Sequence, residues 1–250
     1  MDIRHSVYPI VSINWNMENK LASFLDQSNV ILSRFSGSNE YNSSINFLIE
    51  TCYRSYDILV AIEKLDTSSL KEHELEHPIG ILLRSGLYDF INFQYLSNSS
   101  LEKNGNLNRT TFEERVKEHL STHFNEIDEE LQLKDELKNL KNFSEFGKKK
   151  KFKTLSVLKE GKEFAKSKKL NHLEEAISIW EWYSKYEHYG AFTHLMYQHL
   201  EENLIRKSTG IHLIMANIYL CLCTLIDLGL DVFKLEELKG MEEIFLNLKK

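Results

Sequence analysis

Residues 172 to 200 read His-Leu-Glu-Glu-Ala-Ile-Ser-Ile-Trp-Glu-Trp-Tyr-Ser-Lys-Tyr-Glu-His-Tyr-Gly-Ala-Phe-Thr-His-Leu-Met-Tyr-Gln-His-Leu, and the pattern predicts a single long helix. It gathers four tyrosines, two tryptophans and four histidines. The rest of the chain agrees with a helical class. Only 10 Gly and 2 Pro in 250 residues are too few for the many turns of a sandwich or barrel, whereas they suit long helices joined by short loops. A hydrophobic content of 42% is ample for a packed core.

Working outward, Leu21, Phe24, Leu25, Ile31, Leu32 and Phe35 recur at helical spacing, as do Ile45, Leu48, Ile49, Cys52, Tyr56, Leu59 and Val60. Helices are predicted near 16–35, 44–65, 78–97, 111–132, 156–166, 172–200, 209–229 and 235–248. Ser69 with Glu72 and Thr111 with Glu114 have the spacing of capping boxes, which mark two of the starts. The clearest loop lies between Ser97 and Asn108. The expected architecture is all-α, an antiparallel bundle of seven or eight helices, formed as one domain over 1–250. No internal repeat and no convincing strand emerges.

Composition limits the setting. Cys52, Cys221 and Cys223 lie in apolar helical segments, and their odd number and lack of framework spacing read as buried thiols. The opening Met-Asp-Ile-Arg-His lacks the basic-then-apolar order of a signal peptide, so a cytoplasmic location is expected. The run from Ile211 to Leu230 is the most apolar, but His212, Asn217 and Asp227 interrupt it. It reads as a central bundle helix and no membrane partner is expected, since a span needs about 20 apolar residues.

Charge is uneven. Eleven lysines between Lys141 and Lys169 face three glutamates, a local balance of +8 on a chain whose net charge is −6. The centre of this basic segment is a predicted loop near 141–155 carrying Lys148, Lys149, Lys150, Lys151 and Lys153. Clustered ammonium groups attract the phosphates of a nucleic acid or another anion by displacing counterions, while the alternative reading is a solvated loop.

Three groups of residues carry candidate chemistry. His73-Glu74-Leu75-Glu76-His77 matches the spacing of zinc-hydrolase motifs, with His73 and His77 as metal ligands and Glu74 as the water-activating base. Its charged surroundings and Pro78 point instead to an exposed lead-in to the next helix, and no cofactor is expected. His119 and His123 share the one-turn spacing and read as surface residues. The second group is Arg84, alone in a largely apolar helix, where a guanidinium requires an anionic partner. Asp89, Glu50 and Asp57 are the internal candidates, and a phosphate-bearing ligand is the external one. The third is Tyr183, Ser184 and His188, in which a hydroxyl and an imidazole stand one helical turn apart. That spacing allows a structural hydrogen bond as well as chemistry. Trp180 and Trp182 point to different sides of the same helix, one for burial and one for a partner surface.

Leu82-Leu83-Arg84-Ser85, the segment Ser156 to Ala165, and Tyr183-Ser184 with His188 together resemble a bacterial helical family of unknown function that is similar to the HEPN (higher eukaryote and prokaryote nucleotide-binding) bundles. The likeness spans roughly 45–225. The family carries an acid one turn after the helix arginine, where this chain has Tyr88 followed by Asp89. Nuclease members of the wider group place an arginine five to seven residues before the histidine, where this chain has Glu181, Trp182 and Tyr183. The residues themselves suit a binding module with a polar pocket around Arg84, Tyr183, Ser184 and His188, and the resemblance implies, as the alternative, a metal-independent ribonuclease acting in a toxin or phage-defence setting. In the second case His188 is the general base, Arg84 stabilises phosphate charge, Ser184 or Tyr183 orients the substrate, and the lysine segment gathers RNA. It also implies RNA or another phosphate-bearing ligand as partner, and a homodimer with its cleft across a two-fold axis. A zinc hydrolase is the remaining alternative.

Overall fold

The computed structural model describes residues 13–35, 41–66, 72–131, 160–184 and 200–247, and within them the side chains outside 13–19, 72–77, 122–131, 200–201 and 244–247. Eight α-helices make up the described part: α1 (Ile13–Leu32), α2 (Ser43–Asp66), α3 (Glu72–Asn98), α4 (Arg109–Leu131), α5 (Glu160–Lys168), α6 (Asn171–Ser184), α7 (Leu200–Asp227) and α8 (Lys239–Asn247). Short 3-10 turns follow α1 at Ser33–Phe35 and precede α8 at Leu235–Leu238. No strand occurs among the described residues, where the sole extended pairing is an isolated bridge between Leu101 and Leu107. The all-α bundle expected from the sequence is what forms.

The helices follow their apolar stripes. In α2, Ile45, Leu48, Ile49, Cys52, Ser55, Leu59 and Ile62 are buried, which is the three-and-four spacing of one helix face. α2, α3 and α7 form the centre. Antiparallel packing of α2 on α7 brings Ser55 to Asn217 and Asp66 to Lys207. Leu83 and Gly86 of α3 meet Gly210 and Ile214 of α7 in the same order, so these two run in the same sense. α6 returns antiparallel to both, setting Trp180 beside Arg84 and His172 beside Phe90. The Tyr53 hydroxyl donates to the Leu32 carbonyl at 2.8 Å and ties the end of α1 to α2.

α7 runs from Leu200 rather than from 209. By length and composition it is apolar enough to cross a membrane, yet 67% of its most apolar stretch is buried in the bundle, as expected of a central helix. Asn217 lies in its buried part and is bonded within the core.

Several local expectations change. α3 begins at Glu72, so His73–His77 is helical backbone and Pro78 sits inside the helix. Pro78 removes one backbone hydrogen bond near the helix start, a modest cost beside the burial of Ile79, Leu83 and Leu87 that follows. The cap of α4 is Asn108, whose Oδ1 accepts from the Thr111 amide at 2.9 Å, so Thr111 lies inside the first turn instead of capping it. Asn42 caps α2 in the same way, accepting from Ser44 and Ile45 at 3.1 and 2.9 Å. His119 is not a surface residue. It shares the apolar face of α4 with Phe112 and Val116, and its ring packs edge-on against Phe47 with centroids 5.9 Å apart.

Candidate functional site

The last two turns of α6 carry Trp180, Glu181, Trp182, Tyr183 and Ser184 between α3, α5 and α7. Arg84 reaches this place from α3, with its guanidinium carbon 5.3 Å from the centroid of the Trp180 ring. On the neighbouring face Arg206 of α7 lies over Trp182 at 4.4 Å. Both tryptophans are half-buried, so the split into one buried and one exposed ring does not occur. Each is instead covered by an arginine, an arrangement in which the negative face of an indole attracts the cation.

Asp89 is not placed to serve Arg84. Five residues on an α-helix turn the side chain by about 140° to another face. There Asp89 stands in the α2–α3 interface with Arg54, whose Nε is 3.4 Å from Oδ2. Burial pushes the Asp89 carboxyl up to about 6, with Arg54 acting in the opposite direction.

The Ser184 hydroxyl donates to the Trp180 carbonyl at 2.7 Å, one turn back in its own helix. Its single proton is thereby used, which leaves the oxygen as an acceptor toward any further group. Tyr183, 4% exposed, belongs to the hydrophobic core. Further polar links bind the corner together. The Trp182 indole N–H donates to Asn203 Oδ1 at 2.8 Å, and Arg206 Nη2 bonds Glu202 Oε1 at 2.6 Å. Lys162 of α5 bonds both carboxylate oxygens of Glu181 at 2.7 Å, and Lys207 pairs with Asp66. Arg84, Lys162, Arg206 and Lys207 thus gather around the ends of α6 and α2.

Of the residues singled out from the sequence, Arg84, Tyr183 and Ser184 fall on the facing parts of α3 and α6. His188 lies outside the described residues, as do Lys148, Lys149, Lys150, Lys151 and Lys153. The side chains of His73, Glu74 and His77 are likewise outside them. Among the described residues no three His, Cys, Asp or Glu side chains gather as metal ligands would. Comparison with family models, with curated proteins and with solved structures found no match to this chain.

Sequence reading missed the second arginine-tryptophan stack. Glu202 and Arg206 do have the spacing of an intrahelical ion pair, and that signal marks Arg206 as a residue held in place. Asn203, one residue after Glu202, then meets Trp182 because α6 and α7 run antiparallel. No local pattern encodes this long-range pairing.

Proposed function

We propose that this protein is a binding module for a phosphate-bearing ligand, RNA being the foremost candidate, and that the ligand docks at the corner formed by α3, α6 and α7. The observation that carries this reading is the Arg84 guanidinium held over the Trp180 ring. An indole face orients a guanidinium by attracting its positive charge, and the planar cation is suited to phosphate oxygens. Arg206, paired with Glu202, stacks on Trp182 in the same manner one face away. Ser184 contributes an acceptor oxygen, able to receive a hydrogen bond from a ribose hydroxyl or a base amino group. The lysines at 148–151 and 153 serve as a diffuse attractor for the backbone.

A second reading, metal-independent RNA cleavage, draws on one observation: Arg84 reaches the end of α6, four residues of chain before His188. Here His188 takes the proton of a ribose 2′-hydroxyl and Arg84 stabilises the charge that grows on the phosphate.

One assay separates the two. A mixed pool of labelled RNA is incubated without metal with the wild type, Arg84→Ala and His188→Ala, each first checked for native helicity. Retention of intact RNA by the wild type and its loss in Arg84→Ala support the binding module. Cleavage that disappears in both variants assigns the nuclease. No retention and no cleavage by the wild type overturns both.

A further inference from the structure

At the other end of α3, some 13 residues and about 20 Å of helix away from Arg84, a cleft of about 350 Å³ opens between Ser97, the loop from Leu101 to Leu107, and Thr224 and Asp227 of α7. We propose that this cleft is a binding site for a primary ammonium group.

Three features of its construction lead there. The first is the sign of the potential. α3 and α7 both end at the cleft, at Asn98 and Asp227, so the negative ends of two helix dipoles and the Asp227 carboxylate meet there. An anion is repelled and a cation attracted. The α7 terminus is closed by Gly229 in the left-handed region, with its amide bonded to Ile226 and that of Leu230 to Leu225 at 2.8 and 3.0 Å. The second feature is the placement of acceptors. Thr224 gives its proton to the Leu220 carbonyl at 2.8 Å, so toward the cleft its oxygen offers lone pairs. Ser97 lines it from α3, Asn106 from the loop, and Asp227, exposed to solvent, from the end of α7. Three N–H donors on one nitrogen suit a lining that draws oxygen-bearing residues from three elements.

The third feature separates a primary ammonium from two other kinds of cation. Among the described residues the lining holds no aromatic ring, which a quaternary ammonium requires. Among the described residues it holds a single carboxylate, fewer than a calcium site gathers.

The loop is shaped for this role. Glu102 and Asn106 pair through their backbone at 2.8 Å, Leu101 bridges Leu107, and Gly105 takes the left-handed conformation that closes the turn. Arg109, which stands near Gly229, is engaged by Glu113 at 3.1 Å. Burial pushes the Asp227 carboxyl above its usual range, and an ammonium seated beside it reverses that shift.

The test is a chemical-shift titration of the full chain with n-butylammonium, with tetramethylammonium and sodium chloride as controls at equal ionic strength. Shifts confined to residues 97–107 and 224–230, about tenfold weaker binding in Asp227→Asn, and near wild-type binding in the equally charged control Asp231→Asn are expected. Ser97→Ala, which leaves the charge unchanged, weakens binding too. Two arms identify the source of the ammonium: tighter binding of Nα-acetyl-lysine methylamide points to a lysine side chain of a protein, and tighter binding of spermidine to a free polyamine. Equal weakening in Asp227→Asn and Asp231→Asn, equal binding of tetramethylammonium, or shifts spread over the surface would overturn the proposal.

Discussion

The Asn217 side-chain amide donates to the Ser55 hydroxyl at 3.1 Å inside the contact of α2 with α7, and both residues are fully buried. The Cys221 thiol in turn lies 3.8 Å from Asn217 Oδ1. Buried polar groups of this kind hold two helices in one register, because sliding either leaves a donor without an acceptor.

Ser55→Ala should therefore cost about 1–3 kcal/mol, the penalty of leaving the Asn217 amide without its acceptor. The double variant Ser55→Ala with Asn217→Ala should lose less than the sum of the two single losses. Urea unfolding of the four proteins measures the coupling, and strict additivity would show that the bond sets no register.

Asp89 gives the stability a pH dependence of known sign. Its carboxyl rises from 3.8 unfolded to about 6 folded, so its contribution is fully present below pH 4 and is lost as pH rises through 6. The loss amounts to at most about 3 kcal/mol. Asp89→Asn should accordingly gain stability over the wild type between pH 4.5 and 7.5. A difference that stays flat across that range would place the carboxyl in water, contrary to its burial.

His212 works in the opposite direction. Its Nε2 is buried without a hydrogen-bond partner, and burial, aided by Lys20, pushes the imidazole down to about 4. Stability is full above pH 6.5 and falls as pH drops toward 4, again by up to about 3 kcal/mol. Between pH 4 and 6 the two slopes oppose each other. His212→Leu should remove the acid-side loss and expose the Asp89 slope, which unfolding midpoints at pH 4.5 and 6.5 would reveal.

Gly86 marks a close approach of α3 to α7. A Cβ added there would sit 2.5 Å from Ile214 Cδ1 and 2.8 Å from its Cγ1, and Ile214 is fully buried. Gly86→Ala should destabilise by about 1–3 kcal/mol through overpacking. Ile214→Val removes Cδ1 and should restore part of that loss. A thermal melt in which Gly86→Ala matches or exceeds the wild type would contradict the packing described.

The fold was legible where burial follows a helical period. The stripe from Ile45 to Ile62 specifies α2, and the scarcity of Gly and Pro specifies the class. Legibility failed where long-range packing outweighs a local rule. Pro78 reads as a helix boundary, but the apolar face beginning at Ile79 carries the helix through it. His119 reads as surface because its sequence neighbours are charged, yet its place beside Phe112 and Val116 on the helix turns it inward. For the site, the sequence identified Arg84 and the aromatic stretch at 180–184 as special. That Arg84 would meet Trp180 depends on the antiparallel return of α6 over α3, which no spacing within either helix records.

The central claim concerns the charge at Arg84, and the most direct measurement is a fluorescence-anisotropy titration of a labelled single-stranded RNA at two salt concentrations with the wild type, Arg84→Ala and Arg84→Lys. The account predicts saturable binding that weakens with salt, drops about tenfold or more in Arg84→Ala, and is only partly restored by lysine, which keeps the charge and loses the planar fork. Identical isotherms for the three proteins would contradict it and leave the Arg84–Trp180 stack as a purely structural clasp between α3 and α6.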